Sequence, residues 1–187
     1  MKHLFGSIAI FLSLGVVFAM AQVAPIPLAV TALDLPASSN AGEIKGNIQT
    51  GQKIALQWAE RSSVACFPAT RFEMFNGNHV FYRVTLPAAS AMKIILKPKN
   101  NKGLNLYALR QGVRGGQSVP PSAITCEASY PMYANLGGGK TVTNADDGTR
   151  KLQFISVRDP YSILIGVAGA KNLTEGDFTL RIEITAR

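Results

Sequence analysis

An all-β fold, an antiparallel β-sandwich of the jelly-roll type, is what this 187-residue sequence predicts. Three observations predict it. Short segments alternate apolar and polar residues with a period of two. Clusters of Gly, Pro, Asn and Asp separate those segments. No segment holds a long helical period, and nothing repeats at a fixed spacing.

The chain opens with Lys2 and an uncharged apolar run, Leu4 to Met20, closing on Ala19-Met20-Ala21. Small residues flank the end of that run as a signal peptidase requires, so residues 1–21 read as a signal peptide. The run is too short and too interrupted by Gly and Ser to predict a membrane span. Residues 22–42 contain Pro25, Pro27, Pro36 and Ser38-Ser39-Asn40, a linker-like lead-in with room for one edge strand near 26–33. Residues 43–187 are then the sandwich domain, long enough to bury a sizeable core.

Within it, Ile54, Leu56 and Trp58 alternate with Ala55 and Gln57 and read as a half-buried strand. One helical turn fits between Ala59 and Met74. Val80, Tyr82, Val84 and Leu86 alternate with Phe81, Arg83 and Thr85, and Pro87 stops that strand. Met92, Ile94 and Leu96 alternate with Lys93, Ile95 and Lys97. The connector Pro98 to Gly103 is a turn, because Asn and Gly tolerate left-handed backbone angles. Leu104, Leu106 and Ala108 mark the next strand; Leu152–Val157 and Ser162–Val167 mark two more. At the C-terminus Phe178, Leu180, Ile182 and Ile184 face one way and Thr179, Arg181 and Glu183 the other. The predicted core is Tyr82, Val84, Ile94, Leu106, Phe154, Ile165, Phe178, Leu180 and Ile182.

The order of these pieces resembles a known family. FYRVTLPAAS (81–90), MKIILKP (92–98), GLNLY (103–107) and the closing DFTLRI (177–182) are similar to the bacterial pre-peptidase C-terminal domain. The likeness covers roughly residues 78–110 and 150–185. It implies a small jelly-roll sandwich of the kind appended to exported enzymes, where it aids secretion, substrate binding or maturation. The family's third strand often reads Asp-x-Asp-Leu-Tyr. Here Gly103, Leu104, Asn105, Leu106 and Tyr107 stand in those places, so both acids, and any calcium site they would build, are missing.

Two cysteines, Cys66 and Cys126, follow the leader. In an oxidising compartment one bridge is the simplest outcome, two buried thiols the alternative. The formal charge of +8, or +7 without Lys2, favours anionic surfaces and also serves plain solubility. His79 is the single histidine after the leader and starts a strand behind a turn-like Asn76-Gly77-Asn78, so a surface or turn role is expected. With two cysteines, it matches no standard zinc-ligand spacing. No Gly-x-Ser-x-Gly elbow occurs. Leu136-Gly-Gly-Gly-Lys-Thr141 lacks the first glycine of a phosphate loop, Ala134 standing there. Asn144-Ala-Asp-Asp-Gly148 reads as a turn, its acids being adjacent and unlike a calcium loop. Asn172-Leu-Thr174 is a formal glycosylation sequon.

Two binding candidates remain. Tyr130 and Tyr133, on a proline-bearing loop beside Cys126, can stack on a sugar ring or a partner, or cover the end of the core. Arg83, Lys93, Lys97 and Arg181 fall on polar strand faces and form a basic field if their strands are neighbours in one sheet, extended by Lys99, Lys102 and Arg110. The expected protein is an exported, non-catalytic binding or accessory module, secreted or periplasmic. Its expected partner is an anionic polysaccharide, an envelope component or another protein. The alternative is a small secreted hydrolase or protease inhibitor using the 110–140 loop. No cofactor, metal or nucleic acid is expected, and no transmembrane segment once the leader is removed.

Overall fold

A computed structural model of the chain describes residues 26–27, 29–35, 41–61, 66–101, 103–113, 118–119, 123–131, 134–135, 141–142 and 146–187. Residues 1–21, expected to be a signal peptide, together with Tyr133, Lys102, the glycine-rich 136–140 stretch and much of the 110–140 loop lie outside the described residues.

Nine strands build two sheets: β1 (Val30–Ala32), β2 (Ala41–Asn47), β3 (His79–Leu86), β4 (Ser90–Pro98), β5 (Leu104–Gln111), β6 (Thr125–Ser129), β7 (Arg150–Ser156), β8 (Tyr161–Gly169) and β9 (Asp177–Ala186). Two further pairings, Ile26–Pro27 with Ser118–Val119 and Ala134–Asn135 with Thr141–Val142, are two residues long. The four-stranded sheet runs β7-β4-β9-β2 and the five-stranded sheet β1-β3-β8-β5-β6. All neighbours are antiparallel except β1 and β3, which are parallel. The edge strand expected near residues 26–33 is therefore there, in the parallel sense. From β2 to β5, and again from β6 to β9, each strand crosses to the opposite sheet, which is the jelly-roll habit of winding round one core.

That core is the inward set of both sheets. Leu152, Ile94 and Ile182 stand in one cross-strand row, and Leu96, Leu180 and Ile44 in the next but one. All nine predicted core residues are buried, with Ile94, Leu106, Ile165, Leu180 and Ile182 at 0 % exposure. In the four-stranded sheet a slip of one residue would turn Ile94, Leu180 and Ile182 to water, so the period-two pattern fixes the register there. The 98–103 connector turns as its composition requires, through Asn100 at φ 61°, ψ 37°.

The five-stranded sheet departs from the simple reading: its outward face is also buried. Residues 52–61 and 66–78 lie over it and close a second core of Leu56, Trp58, Phe67, Met74 and Phe75 against Phe81, Tyr107, Leu109 and Leu164. Phe67 and Phe75 stack with centroids 4.1 Å apart, and Trp58, Phe67 and Phe75 each meet the Tyr107 ring. Opposite Tyr107, β8 carries Gly166, where a Cβ would collide with the Tyr107 ring. The predicted strand at Ile54–Trp58 is thus corrected. This segment makes one bridge, Gln52 to His79, and then a helical turn, Trp58–Arg61, followed by a 3₁₀ segment, Ala69–Met74. Its one-sided apolar strip is real, but it packs on the outside of a sheet instead of joining one. The Cys66–Cys126 disulfide pins this covering segment to β6.

Candidate binding surface

Covering one sheet leaves the outward face of the other open. On it the registers place side chains in rows across β7, β4, β9 and β2: Gln153, Lys93, Glu183 and Ala41; then Lys151, Ile95, Arg181 and Glu43; then Lys97, Thr179 and Lys45. Lys45, Lys93, Lys97, Lys151 and Arg181 are all exposed. The structure therefore brings together three of the four predicted basic residues and adds Lys45 and Lys151. Both additions were within reach of the sequence, since Glu43-Ile44-Lys45 and Lys151-Leu152-Gln153 continue the same alternation. Ile95, only 9 % exposed, lies in the middle of the face with cationic neighbours on both flanking strands. Lysine stems can lie along such an aliphatic surface while their ammonium groups stay in water.

Two corrections apply to the expected field. Arg83 is on β3, on the outward side of the five-stranded sheet opposite Leu164, so it does not share the face with Lys93, Lys97 and Arg181. The face is also mixed in sign. Arg181 Nε lies 2.8 Å from Glu183 Oε1, and Glu43 stands beside Arg181 on β2. Carboxylates thus cluster along the β9–β2 half, while Lys93, Lys97 and Lys151 occupy β4 and β7. At the sheet's end Lys99 pairs with Asp177 at 3.9 Å.

Tyr130 is half-buried, its ring edge-on to Phe75 at 5.4 Å, and so it helps to close the second core. His79 is not at the surface. It is 1 % exposed, parallel to Phe81 at 5.9 Å, with Nδ1 3.0 Å from the Gly77 carbonyl oxygen. That contact makes Nδ1 the protonated nitrogen. Burial pulls its pKa from 6.5 down to about 4, the Gly77 bond opposing only in part. It is a packed, neutral imidazole.

Where the resemblance would place an acid, Asn105 is buried at 1 % exposure. Its Nδ2 donates to the Met74 carbonyl at 2.7 Å, and its Oδ1 accepts from Arg150 Nε at 3.0 Å. Arg150 in turn forks onto Asp146 at 2.7 and 3.0 Å. Hydrogen bonds from Arg150 hold the Asp146 carboxyl below its usual range. Asp146 also accepts from the Gly148 amide, and Asp147 from that of Thr149, so 146–149 is the expected turn with its carboxylates already engaged. This chain of bonds ties the covering segment to β5 and β7. A cleft of about 510 Å³ opens beside it, lined by Arg71, Glu73, Lys171 and Arg150 among others.

No protein-family model matches the chain, and no curated protein matches it in sequence. Solved structures do. It is similar to Aeromonas hydrophila PliG, a periplasmic inhibitor of g-type lysozyme, at 13 % identity and a TM-score of 0.45, over 85 % of this chain and 98 % of that one. It is similar to the pre-peptidase C-terminal domain of Bacillus anthracis collagenase, at 10 % identity and a TM-score of 0.38, over 86 % and 98 %. It is also similar to CorA of Methylomicrobium album, a surface-associated copper-binding protein, at 10 % identity and a TM-score of 0.39, over 86 % and 99 %. The family that the strand order resembles is thus among the folds it matches.

Proposed function

We propose that this chain is an exported binding module whose open sheet face holds an anionic polymer, a polyuronate or an acidic envelope polysaccharide. One observation carries the proposal: Lys45, Lys93, Lys97, Lys151 and Arg181 stand exposed on four adjacent strands of a face that nothing described covers. Strands about 4.8 Å apart set these cations at intervals that a polymer bearing a charge on every sugar can meet several at a time. Each contact is weak and screened within about 10 Å at 0.1 M salt, so holding comes from their number. The apolar leader of residues 4–20 supports an exported setting in which such polymers are met. Arg83, Tyr130 and His79 take no part in this reading.

Charge reversal tests it. Lys93→Glu with Lys97→Glu changes two exposed side chains on β4 and leaves both cores intact. At low salt the double variant should bind polygalacturonate at least about tenfold more weakly, with an unchanged unfolding midpoint. Equal binding by parent and variant would reduce the face to a solvated surface.

A further inference from the structure

Four large apolar side chains are exposed among the described residues: Val113 at 69 %, Ile124 at 48 %, Ile155 at 42 % and Val157 at 71 %. Scattered singly, such residues need no explanation. Here all four sit at one end of the sandwich. Ile155 is the second-last residue of β7, and Val157 follows the strand. Ile124 precedes β6 and its amide donates to the Arg110 carbonyl at 2.6 Å; Val113 comes two residues after β5. The same end gathers arginine. The Arg110 guanidinium lies 4.7 Å from the centroid of Tyr161, with its Nε buried and without a hydrogen-bond partner among the described residues. Arg158 is exposed beside Val157, and the Arg187 amide donates to Ala89 in the β3–β4 turn. Arg110, Ile155, Val157, Arg158, Asp159 and Tyr161 together line a shallow groove of about 280 Å³.

The composition differs in kind from that of the sheet face. That face is lysine-rich, and lysine is depleted where proteins dock. This end carries arginine and tyrosine, residues enriched where proteins dock, set among exposed aliphatic side chains. We propose that the Tyr161 end of the sandwich is a second, protein-docking surface. Its partner is a protein segment that presents carboxylates beside aliphatic side chains. The charge balance of the groove selects that chemistry: among the described residues that line it, Arg110 and Arg158 stand with one acid, Asp159, so an acidic rim is complementary. A second copy of this chain, docked patch on patch about a two-fold axis, would set arginines against arginines. The apolar side chains would seat in the groove, and the carboxylates would reach the guanidinium groups as paired acceptors.

The test uses the full chain without its leader and three synthetic peptides, alternating Glu/Leu, Gln/Leu and Lys/Leu. Backbone amide shifts are mapped by nuclear magnetic resonance. The Glu/Leu peptide should move the amides of Arg110, Ile155, Val157, Arg158 and Tyr161, and the other two should not. Val157→Asp, at an exposed site that folding does not use, should weaken that binding about tenfold or more. Lys93→Glu with Lys97→Glu should leave the shifts at this end unchanged, which keeps the result apart from polymer binding. Three results would overturn the proposal: equal binding of the Gln/Leu peptide, shifts confined to Lys45, Lys93, Lys97, Lys151 and Arg181, or self-association of the chain that Val157→Asp abolishes. Binding to anionic lipid vesicles that Val157→Asp abolishes would also overturn it, assigning the end to a membrane surface.

Discussion

His79 shows what a single residue gains and loses by burial. The sequence places it at a strand start behind a turn, which is correct, and that position suggests water. Covering by residues 52–61 and 66–78 is what removes the water, and the cover is a non-local fact. The consequence is a pH dependence whose sign follows from the shift. The folded pKa is about 4 and the ordinary value 6.5. Above pH 6.5 neither state holds the proton and no penalty exists. Between pH 6.5 and 4 the unfolded chain takes the proton and the folded chain does not, so stability falls with pH and levels off below about 4. The linkage amounts to about 2 kcal/mol lost from pH 7 to pH 5. His79→Gln should flatten the urea-denaturation midpoint over that interval; a parent curve already flat there would place the imidazole in water.

At the scale of elements, legibility tracked period and not contact. Strands β4 and β9 could be read because each turns one face to the core and the other to the open side, so Met92/Ile94/Leu96 and Phe178/Leu180/Ile182 separate from Lys93, Lys97, Thr179, Arg181 and Glu183. The covering segment could not be read, because Ile54, Leu56 and Trp58 announce an apolar strip without naming the surface it meets. One signal for a second core was present. In β8 the run Ile163-Leu-Ile-Gly-Val167 is apolar at every position, as a strand buried on both faces must be. Trp58, the chain's single tryptophan, is 7 % exposed inside that cover and reports on it directly. The Cys66–Cys126 bridge, 60 residues apart, contributes about 4 kcal/mol by restricting the unfolded chain. Replacing both cysteines with serine should lower stability by roughly that amount. It should also let Trp58 emission shift to the red before the strand circular dichroism is lost. Coincident transitions would show that cover and sandwich unfold as one unit.

For the molecule as a whole, the two sheets are unlike on their outer sides, and the proposed polymer binding rests on this asymmetry. One outer face is closed by an aromatic layer and stapled by the disulfide; the other presents lysines on four paired strands. The sequence could show which residues point outward, but not that Arg83 points outward on the wrong sheet, since sheet membership is set by strand crossing and not by alternation. The same asymmetry separates the lysine face from the arginine-rich Tyr161 end. The most direct check is a lysine acylation footprint of the chain without its leader, with and without polygalacturonate at low salt. Binding at the open face predicts that Lys45, Lys93, Lys97 and Lys151 slow together and recover as salt is raised, while Lys53, whose ammonium donates to Asn172, and Lys171 keep their rates. Unchanged rates at those four lysines in the presence of bound polymer would contradict it.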